Sequence, residues 1–376
     1  MTTMKKKVLF VMDGMQVGGV ERALISVFHY FNFDDCDCEL FLLHDYDELL
    51  SEIDNRVKVK RLSSADKKKK PFSFLFWYAA VKLSLFSKRL KRYFSIKMEN
   101  ACLKAYGKQV LGKYDIVIAY KHGEAENFVA DCVDCKEKIL FYHHGSLIDE
   151  KLHERVIAKF DKTVAVSEGV RDLLQSRFPQ IKNRLTVIPN YFDRDYIIRR
   201  ANEYAVDKEE GTLTLCTVGR FSSEKRFDRV IECAKLLKQR GIKFIWYAIG
   251  DGSLFDQTVK ACTDCGLKDH IRFTGSLINP LPYVAACDEY VQTSDVESYG
   301  LAMIEALALN KPVVSTFTIG GKLLKSISKN VNLSDFDPDN IVGLILKCNG
   351  KFIISDNNFF TENDTRISKL WIDLIG

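Results

Sequence analysis

Nowhere in its 376 residues does the chain run for about 20 consecutive uncharged apolar positions, so the sequence predicts no membrane-spanning helix. The early apolar run VLFVM is cut by Asp13, too soon for the apolar stretch of a secretory leader, and none is expected. Eleven cysteines, an odd number scattered along the chain, argue against a disulfide framework and for reduced thiols in a cytoplasm. The pairs Cys132/Cys135 and Cys262/Cys265 lie far apart and lack histidines at ligand spacing, which favours helical or loop thiols over a zinc site. No motif presents a clear nucleophile, and none of the nucleic-acid recognition signatures accompanies the basic residues.

What is present is ordinary soluble composition, 47% apolar and 28% charged with a net charge of +5, on a chain long enough for two cores. Apolar runs of four to six residues alternate with amphipathic segments of helix length. KVLFVMDG, CELFLL, RVKVKRL, YDIVIAY, KILFYHHG, DKTVAVSEG and RLTVIPN form a first series of strands. The stretch from Phe192 to Gly211 is charged and strand-free, and is expected to be a linker with a short helix. Alternation then restarts with TLTLCTVGR, KFIWYAIGDG, IRFTG, EYVQTS and KPVVST. Such runs with helices between them predict parallel sheets covered on both faces. The fold class is therefore α/β, two successive doubly wound units, with ligands in the cleft at the C-terminal strand ends.

Two segments at those ends carry chemistry. In VGRFSSEK a strand stops at Gly219, and Arg220 and Lys225 follow in the loop, a fork and a point charge suited to phosphate oxygens. In SDVESYGLAMIEALAL a helix opens near Ser298–Gly300, and its free N–H groups form an anion site. Leu301 to Leu309 is apolar except for Glu305. A carboxylate inside a buried helix needs partners, and a ribose diol can satisfy both its oxygens. Hydrogen bonds from a neighbouring loop would serve as well. Glu297, in the loop before, is placed for hydroxyls beyond the distal phosphate.

Glu297 and Glu305 with seven residues between them resemble the E-x7-E motif of retaining glycosyltransferases of the GT-B fold, family 4 in particular. GGVER (18–22), FYHHG (141–145), VAVSEGV (164–170), VIPNYFD (187–193), VGRFSSEK (218–225), AIGDG (248–252) and ALNKPVVST (308–316) are similar to that family's motifs in order and spacing. The resemblance implies a GT-B architecture of two Rossmann-like domains facing a cleft. It implies a first domain over 1–191 holding the acceptor, a second over 192–360 holding a nucleotide-sugar donor, and a terminal helix over 361–376 packing back on the first. It implies transfer with retention, no cofactor and no required metal, with UDP as the default nucleotide. By motif position Arg220 and Lys225 would hold the diphosphate, Glu297 the donor sugar and Glu305 the ribose. Ser298, Tyr299, Gly300 and Leu301 would form the helix start that receives the donor. Gly18 and Gly19 would allow close backbone approach, and His144, rather than its neighbour His143, would stand near the reacting sugar. One departure is visible: after Thr316 the expected glycine-rich strand is missing or shortened.

Between Lys58 and Lys97 lie 13 Lys or Arg and one acid, Asp66, interleaved with aromatics. Such segments lie on anionic membranes, each cation contributing about 1 kcal/mol. This predicts a cytoplasmic protein peripheral to the inner face of the cell membrane, with a saccharide or lipid-linked saccharide acceptor and no nucleic-acid partner. A solvated face over an aromatic core would also fit. Three alternatives stand beside the enzyme reading. One is a metal-dependent transferase using a D-x-D pair such as Asp45/Asp47. Another is a different enzyme of this fold, a sugar-nucleotide epimerase or a phosphorylase. The third is a catalytically inactive partner subunit that binds the nucleotide sugar.

Overall fold

The apolar runs become the middles of two wholly parallel sheets. The computed structural model describes residues 5–61, 113–146, 150–348, 350–353 and 358–376. The basic stretch beyond Arg61, and with it most of the segment read as membrane-facing, lies outside the described residues.

The first sheet contains β1 (Lys6–Met12), β2 (Cys36–Leu42), β3 (Lys58–Arg61), β4 (Tyr114–Ala119), β5 (Cys135–Tyr142), β6 (Lys162–Ala165) and β7 (Leu185–Val187). Its order is 3-2-1-4-5-6-7. Val8 to Met12 are fully buried, because helices cover both faces of β1 and leave no polar side to the strand. Those helices are α1 (Gly19–Tyr30), α2 (Glu124–Cys132), α3 (Glu150–Ile157) and α4 (Glu168–Arg177). The second sheet contains β8 (Leu213–Val218), β9 (Phe244–Ile249), β10 (Ile271–Gly275), β11 (Glu289–Gln292), β12 (Val313–Thr316) and β13 (Val331–Ser334), in the order 10-9-8-11-12-13. With it go α5 (Arg194–Ala201), α6 (Phe227–Gln239), α7 (Phe255–Asp264), α8 (Leu281–Ala286), α9 (Leu301–Ala308), α10 (Ile319–Ile327) and α11 (Pro338–Cys348).

Each order reverses once, beside β1 in the first sheet and between β8 and β11 in the second. A reversal sends the neighbouring crossovers to opposite faces and opens a crevice at the strand ends. Gly18 and Gly19 follow β1, while Arg220 and Glu297 follow β8 and β11, so each group stands at its sheet's crevice. The final helix, α12 (Asn358–Ile375), returns to the first sheet. Ile367, Trp371 and Leu374 join the core built on Val8 and Phe10. The Trp371 ring stacks on Phe141 at 4.9 Å, and Lys6 Nζ donates to the Ile375 carbonyl at 2.8 Å.

The two lobes meet through glycines. A Cβ on Gly19 would fall 2.8 Å from Leu301 Cδ1, one on Gly169 2.6 Å from Ile319, and one on Gly145 3.2 Å from the Glu297 carbonyl. A side chain at these positions would force the facing groups of the other lobe to shift. Cys132 ends α2 and Cys135 begins β5, while Cys262 lies in α7 and Cys265 caps it; none of the four is in a disulfide.

Candidate functional site

The loop after β8 is pinned by an aromatic pair. Phe221 is fully buried and stacks on Phe227 at 3.7 Å. Arg220, one residue earlier, is left exposed, with no side-chain hydrogen bond or ion pair among the described residues. Further along, Arg226 adopts φ +53°, a left-handed conformation unusual for a residue with a side chain. Several contacts hold it there. Its guanidinium pairs with Asp228 and Asp295, each at 2.9 Å, and its carbonyl accepts from Thr293 Oγ1 at 3.1 Å. Asp295 also takes Arg229 at 2.9 Å, and its N–H donates to the Glu224 carbonyl at 2.8 Å. The loops after β8 and β11 are thereby stapled together.

The staple delivers Lys225 to Glu297. Lys225 Nζ donates to Glu297 Oε1 at 2.6 Å, and Ser294 Oγ and Gln292 Nε2 donate to the same oxygen at 2.8 and 3.0 Å. Gln292 is oriented in turn by the Tyr290 hydroxyl, which donates to its Oε1 at 2.7 Å. Three donors on one oxygen fix the carboxylate in place. Its Oε2 takes no hydrogen bond from the described residues and remains available to hydroxyl donors.

Next to it α9 begins. Gly300, at φ +81°, makes the entry, and no side chain caps the helix. The amides of its first turn therefore stay open to an anion. Tyr299 contributes packing rather than a polar group: its ring is buried and stacks on Phe192 at 5.7 Å. The Ser298 carbonyl accepts from Ser167 Oγ of the other lobe at 3.2 Å. Glu305 lies about one turn into α9. Burial raises its pKa, and the charge of Arg22, from α1, opposes that rise. None of the described residues donates a hydrogen bond to its carboxylate. Arg22, Leu301 and Glu305 line one cavity of about 30 Å³, water-sized rather than ligand-sized.

The first lobe adds its strand ends. Gly18 makes room for the buried Glu21, whose Oε2 would sit 2.3 Å from a Cβ there. Lys121 joins this edge, bonding Glu21 at 3.0 Å and facing Asp13 at 3.6 Å. The two adjacent histidines separate. His143 is buried against the Tyr120 ring at 4.7 Å, and burial above all drives its pKa down to about 3, so it stays neutral. His144 is half-buried, accepts the Ser146 N–H at 3.1 Å, and precedes the Gly145 that touches Glu297.

The cleft thus gathers Gly18, Gly19 and His144 from one lobe against Arg220, Lys225, Glu297, Ser298, Gly300, Leu301 and Glu305 from the other. Sequence reasoning had not singled out Asp295, Gln292 and Ser294. Their one signal is a polar run, QTSD, at the end of the strand EYVQ. Two parallel-sheet α/β lobes, each offering its strand ends to a common cleft, define the GT-B fold. Residues 199–339, within the second lobe, match the family model described as Glycosyl transferases group 1.

Relatives and solved structures agree. The chain is 30% identical over 158 residues to the lipopolysaccharide core biosynthesis glycosyltransferase LpsE of Rhizobium meliloti, covering 42% of this chain and 43% of that one. It is 29% identical over 188 residues to the alpha-monoglucosyldiacylglycerol synthase of Streptococcus pneumoniae, covering 46% and 42%. The chain spans less than half the length of these curated relatives. Anabaena Alr3699/HepE in complex with UDP and glucose superposes with a TM-score of 0.70 at 17% identity, over 98% of this chain and 99% of that one. Staphylococcus aureus TarM, crystallised with UDP and glycan ligands, gives 0.73 at 16% identity over 99% and 100%.

Proposed function

We propose that the protein is a retaining, metal-independent glycosyltransferase. It moves a sugar from a nucleotide-sugar donor, UDP-linked by preference, to a saccharide or lipid-linked saccharide acceptor in cell-surface polysaccharide or glycolipid assembly. The observation that carries this reading is the Lys225–Glu297 pair at the mouth of an uncapped helix, opposite His144. It sets a cation, open amides and a fixed carboxylate where a diphosphate and a sugar would lie side by side.

In this reading the bond between anomeric carbon and phosphate oxygen breaks, and negative charge grows on the departing diphosphate. Arg220, Lys225 and the first-turn amides of α9 meet that charge, and losing one such donor typically costs about 3–4 kcal/mol of barrier. Glu297 Oε2 holds sugar hydroxyls, Glu305 the ribose diol, and His144 the sugar from the acceptor side. No nucleophilic side chain is assigned. The acceptor hydroxyl attacks the face the diphosphate leaves and passes its proton to the departing phosphate oxygen, which preserves the configuration without a covalent intermediate.

The names of the relatives support a saccharide or glycolipid product, and the UDP complexes of the structural neighbours support the nucleotide. The basic stretch between Lys58 and Lys97 supports work at the inner face of a membrane. The test is thermal unfolding with UDP, GDP and ADP, each in EDTA. A bound nucleotide at 100 times its Kd stabilises by about 2.7 kcal/mol. A shift with UDP is expected. A shift that appears only on adding Mn²⁺ would overturn the metal-free site, and no shift with any nucleotide would overturn the donor site.

A further inference from the structure

Arg22 is the fourth residue of α1, and α1 is held against α9 by the contact between Gly19 and Leu301. From there its guanidinium crosses to the second lobe, where Nη2 donates to the Ile278 carbonyl in the loop between β10 and α8. The same side chain lines the cavity that Glu305 and Leu301 line from the other side. The neighbouring acid there, Glu52, is already engaged: the Tyr196 hydroxyl donates to it, and Arg200 stands 3.2 Å away. Among the described residues Glu305 has no such partner, and the charge of Arg22 reaches it.

This matters for what Glu305 can hold. A diol donates two hydrogen bonds to a carboxylate only when the acid is ionised. A neutral carboxyl offers its own O–H and one good acceptor. Burial favours the neutral form, and a nearby cation favours the ionised one.

We propose that Arg22 is the donor-positioning residue contributed by the first lobe. It spans the cleft to the Ile278 carbonyl and supplies the positive charge against which Glu305 binds a ribose diol. The nucleoside end of the donor is thus held from both lobes. This rests on the proposed function, because it presumes that a nucleotide occupies the cleft with its ribose at Glu305.

Calorimetric titration of the full chain with UDP and with 2′-deoxy-UDP tests it, using wild type, Arg22→Ala, Arg22→Gln and Arg22→Lys. Wild type is expected to favour UDP. Arg22→Ala should weaken UDP about 10- to 100-fold, the range for losing a hydrogen bond to a charged group. It should weaken 2′-deoxy-UDP much less, so the preference collapses. Arg22→Gln keeps a donor for Ile278 without the charge and should lose the preference too, whereas Arg22→Lys should retain part of it. The unliganded melting temperature shows that each variant is folded. A folded Arg22→Ala or Arg22→Gln that keeps both the affinity and the preference overturns the proposal. Wild type that binds UDP without preferring it overturns the ribose role of Glu305, and wild type that binds no nucleotide overturns the donor site itself.

Discussion

Glu297 carries three hydrogen bonds on one oxygen, while Glu289, eight residues earlier, faces the Cys348 thiol. Glu289 is wholly buried at the start of β11, and burial pushes its pKa up to about 8, with Asp288 adding to the rise. Its folded pKa lies above the unfolded value, so its contribution to stability is complete below about pH 4.5 and is lost as the pH rises through 8. The melting temperature should therefore fall between pH 5 and pH 9, and Glu289→Gln should flatten the decline. An unchanged slope in calorimetric scans would show that another group titrates. At Glu297 the expectation is catalytic. Glu297→Ala should reduce turnover about 10²–10³-fold, comparable to loss of a preorganised polar contact. Its side chain and that of Lys225 are only 12% and 22% exposed, so the variant should lose stability as well, and turnover is to be read on protein shown to be folded. A large loss of stability with intact turnover would reverse the assignment. The spacing of Glu297 and Glu305 was legible in the sequence. Their partners were not: Lys225 is 72 positions away from Glu297, and Arg22 lies in the other lobe.

Among the elements, the buried strands were readable because a parallel strand covered on both faces is a continuous apolar run. YDIVIAY and KFIWYAI follow that rule, and β4 and β9 form within them. β13 does not. Val331–Ser334 alternates buried ends with half-buried Asn332 and Leu333, and the sequence left it missing or shortened. It forms as a four-residue strand because β12 supplies a template, with Val313 opposite Val331. The loop staple was equally hidden, since the left-handed Arg226 depends on acids at 228 and 295. Asp295→Ala should lower activity by loosening Lys225, with a smaller effect on stability; an active variant at full kcat would mean the loops hold without it. For α12, Trp371 packs among Phe10, Tyr120 and Phe141. Trp371→Ala should cost about 3–5 kcal/mol, the usual range for a buried aromatic. Chemical denaturation would measure this, and a loss under about 1 kcal/mol would show that the helix does not anchor the first lobe.

For the whole molecule, composition and alternation were enough to expect two α/β units in one chain, because that pattern is a property of the entire sequence. The basic stretch between Lys58 and Lys97, proposed to face a membrane, lies mostly outside the described residues. Its chemistry is still testable. Replacing Lys67–Lys70 and Lys88–Arg92 by neutral residues should weaken cosedimentation with phosphatidylglycerol vesicles by about 1 kcal/mol per charge removed near the surface. Equal binding to neutral and anionic vesicles would make these solvated charges.

The return of α12 has a mechanical meaning. The chain crosses between the lobes twice, once after β7 and again before α12. One crossing would act as a ball joint, free to tilt in every direction. Two crossings act as a pair of pins, so that any rotation of the lobes would be held to the axis through them and splaying apart would be resisted. Contacts far from that axis would travel furthest for a given rotation, and substitutions beside the pins should alter opening rates without touching a ligand.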